Sequence, residues 1–161
     1  NSFPVKISFV VCNNAKAKGV SIAKKNSIPY LIINTHKRNF EKEILIKLKK
    51  HDISLILLAG YMKIISKKFI KDFGKHIINI HPSLLPKFKG LNTFERVLQS
   101  KEKKTGCTVH FVNEKLDSGK KIIQKSFFIN KEDNKELLKR KTQEKEHRAY
   151  PEALINIFRY T

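Results

Sequence analysis

The sequence predicts an α/β fold in which a mostly parallel sheet is flanked by helices and antiparallel strands are added near the C-terminus. In the first two thirds of the 161 residues, short apolar and β-branched runs alternate with segments of helical spacing. That alternation is typical of right-handed crossovers between parallel strands. In the last third, two strand-like runs follow each other with only a turn-rich stretch between them, which favours an antiparallel pair.

Four strands are predicted in the first part of the chain, at residues 5–12, 30–33, 54–60 and 76–81. The third run is apolar throughout, which is typical of a strand covered on both faces. Helices are predicted between the strands at residues 15–26, 40–50 and 66–73. The last of these helices has Ser66 as its N-cap and ends at Gly74, and both residue types are favoured at those positions. This succession predicts a Rossmann-like sheet.

The second part of the chain begins with a proline- and glycine-rich loop at residues 81–90, followed by a short helix near residues 94–100. Strands at 107–112 and 121–129 enclose a turn-rich stretch. From residue 132 to residue 158 the pattern is helical, and Pro151 should kink or restart that helix. No linker or internal repeat divides the sequence, so we expect one domain over residues 1–161.

The composition limits the class of protein. A hydrophobic fraction of 40% argues against disorder, and no apolar run approaches the roughly 18–20 residues of a membrane span. The two cysteines do not form a CxxC pair, and the N-terminus shows no charged-then-apolar leader. We therefore expect a cytoplasmic protein without a disulfide framework.

The charge is strongly positive, because 34 Lys and Arg outnumber 14 Asp and Glu and give a formal net charge of +20. Only five of the 34 basic residues are Arg, the residue that nucleic-acid readers use for bidentate contacts. The Lys residues are spread along the chain beside many Asn and Ile, and all three residue types have A/T-rich codons. This favours genome composition as the cause of the excess positive charge. A Lys-rich nucleic-acid-binding module is the alternative. Either way, the field would concentrate phosphorylated small molecules.

Three polar residues are candidates for chemistry. Asn79 and His81 are two apart at the end of a predicted strand, so both side chains should point to the same face. In an open α/β sheet, ligands bind at the carboxyl ends of the strands. An imidazolium and an amide could stabilise an oxyanion, and Asp117 in its turn could hold the charged form of the histidine. The alternative is that these residues only satisfy loop backbone groups.

Five sequence segments together resemble one enzyme family. They are INIHPSLLPKFKG at 78–90 followed by LNT, LLAGYMKIIS at 57–66, GCTVHFV at 106–112, LDSG at 116–119 and EHRAYP at 146–151. In order and spacing they resemble the phosphoribosylglycinamide formyltransferases (glycinamide ribonucleotide transformylases) of purine biosynthesis. These enzymes belong to the folate-dependent formyltransferases.

The resemblance implies transfer of a formyl group from 10-formyltetrahydrofolate, as cosubstrate, to the amine of phosphoribosylglycinamide through a tetrahedral intermediate, with no metal. The catalytic residues of the family fall on Asn79, His81 and Asp117. Its folate-binding positions fall on two of these and on nine others: Asn79, Asp117, Arg38, Met62, Lys63, Ile64, Ile65, Asn113, Glu114, Lys115 and Leu116. Its ribonucleotide-binding positions fall on Gly60, Met62, Asn79, Pro82 and Glu146.

The resemblance also implies partners and rivals. The partners are the two small-molecule substrates, with no membrane, with nucleic acid disfavoured and with a homodimer left open. The rival activities are those of methionyl-tRNA formyltransferase and formyltetrahydrofolate deformylase. Asn1 precedes what resembles the second strand of the family, and none of the six Gly forms a phosphate-binding loop. We therefore expect that the family's first strand and phosphate loop are missing from residues 1–161.

Overall fold

The computed structural model describes residues 3–158, in which the chain forms two compact units. The first unit ends at Ser54 and the second begins at Leu55. Each unit has its own sheet, of two strands in the first unit and of four in the second. The expectation of one domain over the whole chain stays a prediction.

The first unit is a parallel β–α–β crossover followed by a helix. Its elements are β1 (Val10–Cys12), α1 (Lys18–Lys25), β2 (Tyr30–Ile32) and α2 (Phe40–Lys50). The two strands pair in parallel, with Val10 opposite Tyr30 and Cys12 opposite Ile32. The predicted first strand is shortened to its last three residues, which pair with the three residues of β2. The helix predicted at 40–50 has the expected bounds.

The second unit contains the remaining elements in the order β3 (Leu55–Leu58), α3 (Lys67–Phe73), β4 (His76–His81), α4 (Thr93–Leu98), β5 (Lys104–Phe111), β6 (Lys121–Phe128) and α5 (Lys135–Phe158). The strand order is β3-β4-β5-β6. The β3–β4 pair is parallel, whereas β5 is antiparallel to both β4 and β6. The predicted fold class, with parallel pairing first and antiparallel strands near the C-terminus, is confirmed.

Local signals account for the ends of two helices in this unit. The Ser66 hydroxyl accepts a hydrogen bond from the main-chain N–H of Phe69 at 3.0 Å, and Gly74 ends α3 with a φ of 64°. Asn134 caps α5 by accepting from the N–H of Leu137 at 2.9 Å. Helix α5 then continues through Pro151 as one element, so the predicted restart does not occur.

The core of the second unit lies between the sheet and α5, which packs against β5 and β6. Ile78 in β4, Cys107 in β5 and Leu138 and Ala149 in α5 are fully buried. Strand β4, whose carboxyl end carries Asn79 and His81, lies between β3 and β5 in this sheet. Among the helices within residues 3–158, none has the length and apolarity needed to cross a membrane.

Candidate active site

His81 is held at both ring nitrogens. Its side chain is 7% exposed, and its Nε2 lies 2.9 Å from the main-chain oxygen of Phe88. Because a carbonyl oxygen only accepts, Nε2 must carry a hydrogen there. The other nitrogen, Nδ1, lies 3.3 Å from Oδ2 of Asp117. The charged ring can donate to both oxygens, whereas the neutral ring leaves a free electron pair on Nδ1.

Asp117 connects two loops to this histidine. Its side chain is 8% exposed, and Oδ2 also accepts a hydrogen bond from the main-chain N–H of Gly90 at 2.8 Å. Its φ of 45° lies in the left-handed region, which aspartate tolerates better than most residues. The turn passes so close to β5 that a Cβ at Gly119 would collide with the main-chain oxygen of Phe111. The LDSG segment therefore places the carboxylate by close packing.

Asn79 is oriented by a second buried histidine, His110, which lies opposite it in the β4–β5 register. The Nδ1–H of His110 donates to the main-chain oxygen of Phe111 at 2.8 Å. Burial lowers the pKa of His110, so the ring is neutral and its Nε2 is an acceptor. That atom lies 3.3 Å from Nδ2 of Asn79. One amide N–H of Asn79 is thus used by His110, and the other is available to a ligand.

Two of the three candidate residues stand, together with His110, at a cleft of about 210 Å³. Its wall combines Asn79, His110 and Asp117 with large apolar side chains, and Met62 and Ile64 are 72% and 76% exposed. Exposed apolar side chains beside convergent polar groups are typical of a site for a flat, partly polar ligand. The remaining lining residues are Leu58, Tyr61, Lys63, Ile65, Gly90, Leu91, Val112, Asn113, Glu114, Lys115 and Leu116.

The predicted folate-binding residues of the second unit all line this cleft, from Met62 to Ile65 and from Asn113 to Asp117. His81 lies behind Asp117 and does not line it. Gly60, Pro82 and Glu146, predicted to bind the ribonucleotide, do not line it either. Arg38 lies in the first unit, and its role stays a prediction.

Glu146 has an unusual environment on α5. Within residues 3–158, no hydrogen bond or ion pair neutralises its half-buried carboxylate. Burial raises the pKa of Glu146 from 4.5 to about 7. A carboxylate left in this state can accept hydrogen bonds from a polar ligand, at the cost of being protonated at mildly acidic pH.

The sequence could not reveal the main-chain groups of the site. The Phe88 oxygen and the Gly90 N–H are main-chain groups of a loop without regular structure, so side-chain identity gave no signal for them. His110 was not singled out as a site residue, because its link to Asn79 depends on the antiparallel register of β4 and β5. In the part of the chain that the structure describes, no group of three or more His, Cys, Asp or Glu could hold a metal ion.

The sequence matches the family model described as "Formyl transferase" over residues 1–154. The chain belongs to the formyl transferase family. This formyl transferase is 41% identical over 152 residues to the phosphoribosylglycinamide formyltransferase of Haemophilus influenzae, covering 92% of this chain and 72% of that protein. It is also 41% identical to the trifunctional purine biosynthetic protein adenosine-3 of Gallus gallus, of which it covers 15%.

Comparison with a solved structure indicates the same family. The formyl transferase chain superposes on the phosphoribosylglycinamide formyltransferase of Bacillus halodurans with a TM-score of 0.90 and 34% identity, covering 96% of this chain and 82% of that one. The resemblance inferred from the five sequence segments is therefore confirmed at the level of the family.

Proposed function

We propose that this enzyme transfers the formyl group of 10-formyltetrahydrofolate to the amine of phosphoribosylglycinamide, a step of purine biosynthesis. The observation that carries the proposal is one cluster, in which Asn79 and Asp117 line the cleft and His81 lies behind Asp117 against its carboxylate. These residues combine an amide donor, an imidazole and a carboxylate, and no nucleophile of the enzyme is required. Relatives with this activity in their names support the choice of acceptor.

Acyl transfer to an amine creates an oxyanion, and the site contains donors for it. The amine nitrogen adds to the formyl carbon, and negative charge develops on the formyl oxygen. The amide N–H of Asn79 that is not used by His110 can donate to this oxygen. Preorganised donors of this kind typically contribute about 10²–10³ in rate, because they need no rearrangement as the charge develops.

The proton transfers fall to His81 and Asp117. Because Nε2 is committed to the Phe88 oxygen, Nδ1 is the atom that exchanges a proton during the reaction. Nδ1 faces Asp117 Oδ2 at 3.3 Å, so a proton exchanged by the ring passes through the Asp117 carboxylate, which lines the cleft. The amine must lose a proton and the departing folate nitrogen must gain one, and the neutral Nδ1 next to Asp117 can relay it.

The two substrates would occupy different parts of the site. Met62, Ile64 and Ile65 offer apolar contact to the rings of the folate, and the 113–116 loop closes the opposite wall. We propose Gly60, Pro82 and Glu146 for the ribonucleotide, with Glu146 accepting from the ribose hydroxyls. Lys63 is proposed for the acidic tail of the folate, and folate binding by Arg38 stays a prediction from the family resemblance. The proposed activity also favours a cytoplasmic location, and a homodimer is left open.

The experiment is a formyl-transfer assay with three acceptors. The purified chain is given 10-formyltetrahydrofolate together with phosphoribosylglycinamide, methionyl-tRNA or water alone. We expect release of tetrahydrofolate that depends on phosphoribosylglycinamide and produces its formyl derivative. Transfer to methionyl-tRNA, or equal release in water alone, would assign the chain to one of the rival activities.

A further inference from the structure

Tyr150 of α5 reaches the sheet beside the candidate site. Its hydroxyl donates to the main-chain oxygen of Leu58 at 2.8 Å and shares this hydrogen with the oxygen of Ile78 at 3.2 Å. Such three-centre bonds are common where two carbonyl groups converge. Burial raises the pKa of the Tyr150 hydroxyl, so the hydroxyl stays protonated and remains a donor across the working pH range.

The two carbonyl groups belong to neighbours of Asn79, one along the same strand and one in the adjacent strand. Ile78 precedes Asn79 in β4, and Leu58 is the residue of β3 that lies opposite Asn79 in the parallel register. This is the last rung of the β3–β4 ladder, because β3 ends at Leu58 while β4 continues to His81. The Tyr150 hydroxyl therefore links β3 and β4 at the last paired position before the candidate site.

We propose that Tyr150 is a positioning residue for formyl transfer, which fixes the β3–β4 rung that carries Asn79. The proposal rests on the proposed function. Among residues 3–158, the side chain of Asn79 has one hydrogen-bond partner, His110, at 3.3 Å, so its placement depends on the main chain of β4. A misplacement of about 1 Å can cost on the order of 10²-fold in rate.

The main chain of α5 at Tyr150 is held in place by buried neighbours. Ala149 and Ala153, next to and one turn beyond it, are fully buried, and Leu154 is 4% exposed. Small buried residues let α5 approach the sheet closely, so its position is set by packing. Because α5 is held in place by the core, the hydroxyl of Tyr150 can hold the end of β4 in a fixed position.

The test removes one oxygen atom with Tyr150→Phe, and Tyr30→Phe in the first unit is the matched control. We expect kcat to fall by about 10-fold, within the range for small misplacements, while both KM values change less than about twofold. In an Asn79→Ala background, Tyr150→Phe should cost nothing further, because residues that act as a unit are not additive. Tyr150→4-aminophenylalanine, which restores an N–H donor, should recover most of kcat.

A second readout does not need catalysis. In ¹⁵N-labelled protein, Tyr150→Phe should shift the side-chain amide signals of Asn79 and speed their exchange, whereas Tyr30→Phe should leave them unchanged. Unaltered Asn79 signals would overturn the proposal, as would an equal loss of kcat in the Asn79→Ala background. If the wild-type chain transfers no formyl group, the proposed function fails, and the Asn79 signals still decide whether Tyr150 positions that residue.

Discussion

Two buried histidines belong to the candidate site, and their hydrogen-bond partners differ. His110 donates from Nδ1 to a carbonyl and accepts at Nε2, which only a neutral ring can do. His81 faces a carbonyl with Nε2 and a carboxylate with Nδ1, which the charged ring satisfies at both atoms. The first histidine can orient Asn79 and the second can exchange a proton.

Glu146 gives a prediction about stability and pH. Its pKa is 4.5 in an ordinary setting and about 7 in the folded protein. Between these values the folded protein keeps a proton that the unfolded chain releases, so stability should fall as pH rises through this window. Glu146→Gln cannot ionise and should raise Tm above that of the wild type at pH 8, with little difference at pH 4.5.

The matched control for this prediction is Glu152→Gln on the same helix, whose carboxylate is paired with Lys125 at 2.5 Å. That variant should gain nothing at pH 8, because it loses an ion pair and relieves no burial. Thermal unfolding of the three proteins at both pH values is the measurement. An equal Tm for wild type and Glu146→Gln at pH 8 would mean that the folded carboxylate ionises without penalty.

The proximity of the three candidate side chains could be predicted because their positions follow from local patterns in the sequence. Asn79 and His81 share a face of a strand that the sequence marks clearly, and Asp117 stands in a recognisable turn. The acceptor on Phe88 and the donor on Gly90 are main-chain groups, so residue identity says little about them. Tyr150 was part of the EHRAYP segment, but its contact with Leu58 spans 92 positions of sequence and depends on tertiary packing.

At the scale of elements, the 113–120 loop is the part that brings the carboxylate to the histidines. It depends on Gly119, where the turn passes against the main chain of Phe111. The turn was predicted from the sequence. The requirement for glycine at position 119 arises from the close approach of β5, which only the structure shows. Helix α3 was predicted with its observed bounds because both of its caps are local. The shortening of β1 could not be predicted, since strand length depends on the partner.

Gly119→Ala is the test of this loop. The new methyl group would force the turn away from β5 and move Asp117 out of reach of His81, so we expect a large loss of kcat together with a lower Tm. Gly19→Ala is the control, because nothing lies within 4 Å of the added Cβ in α1. Alanine in a helix should stabilise that variant by about 0.5–1 kcal/mol and leave kcat unchanged. Normal turnover in Gly119→Ala would show that Asp117 does not need this turn.

At the scale of the whole molecule, the net charge of +20 has two possible roles, which DNA binding can distinguish. If the lysines only raise the local concentration of anionic substrates, binding to duplex DNA should be weak and without sequence preference. It should be lost between about 50 and 200 mM salt, since phosphate contacts release counterions. Filter retention of two unrelated duplexes measures this. Tight binding of one duplex at 200 mM salt would instead support a nucleic-acid function.

The family, the order of elements and the change from parallel to antiparallel pairing could all be predicted from sequence, because each rests on local patterns or on linked motifs. The division of residues 3–158 into two compact units was not predicted. Residues 5–12 and 54–60 were both predicted as strands of a mostly parallel sheet, and the structure has them in two sheets, in which β1 pairs with β2 and β3 pairs with β4. A preceding strand and phosphate loop stay a prediction.

The most direct test of the account is the turnover of His81→Ala and Asn79→Ala in formyl transfer to phosphoribosylglycinamide. His76→Ala is the control, because His76 begins the same strand and is exposed. With circular dichroism unchanged, we expect kcat to fall by about 10²–10³ in the two site variants and to stay near the wild-type value in the control. Near-normal turnover by a correctly folded His81→Ala protein would contradict the assignment of the site.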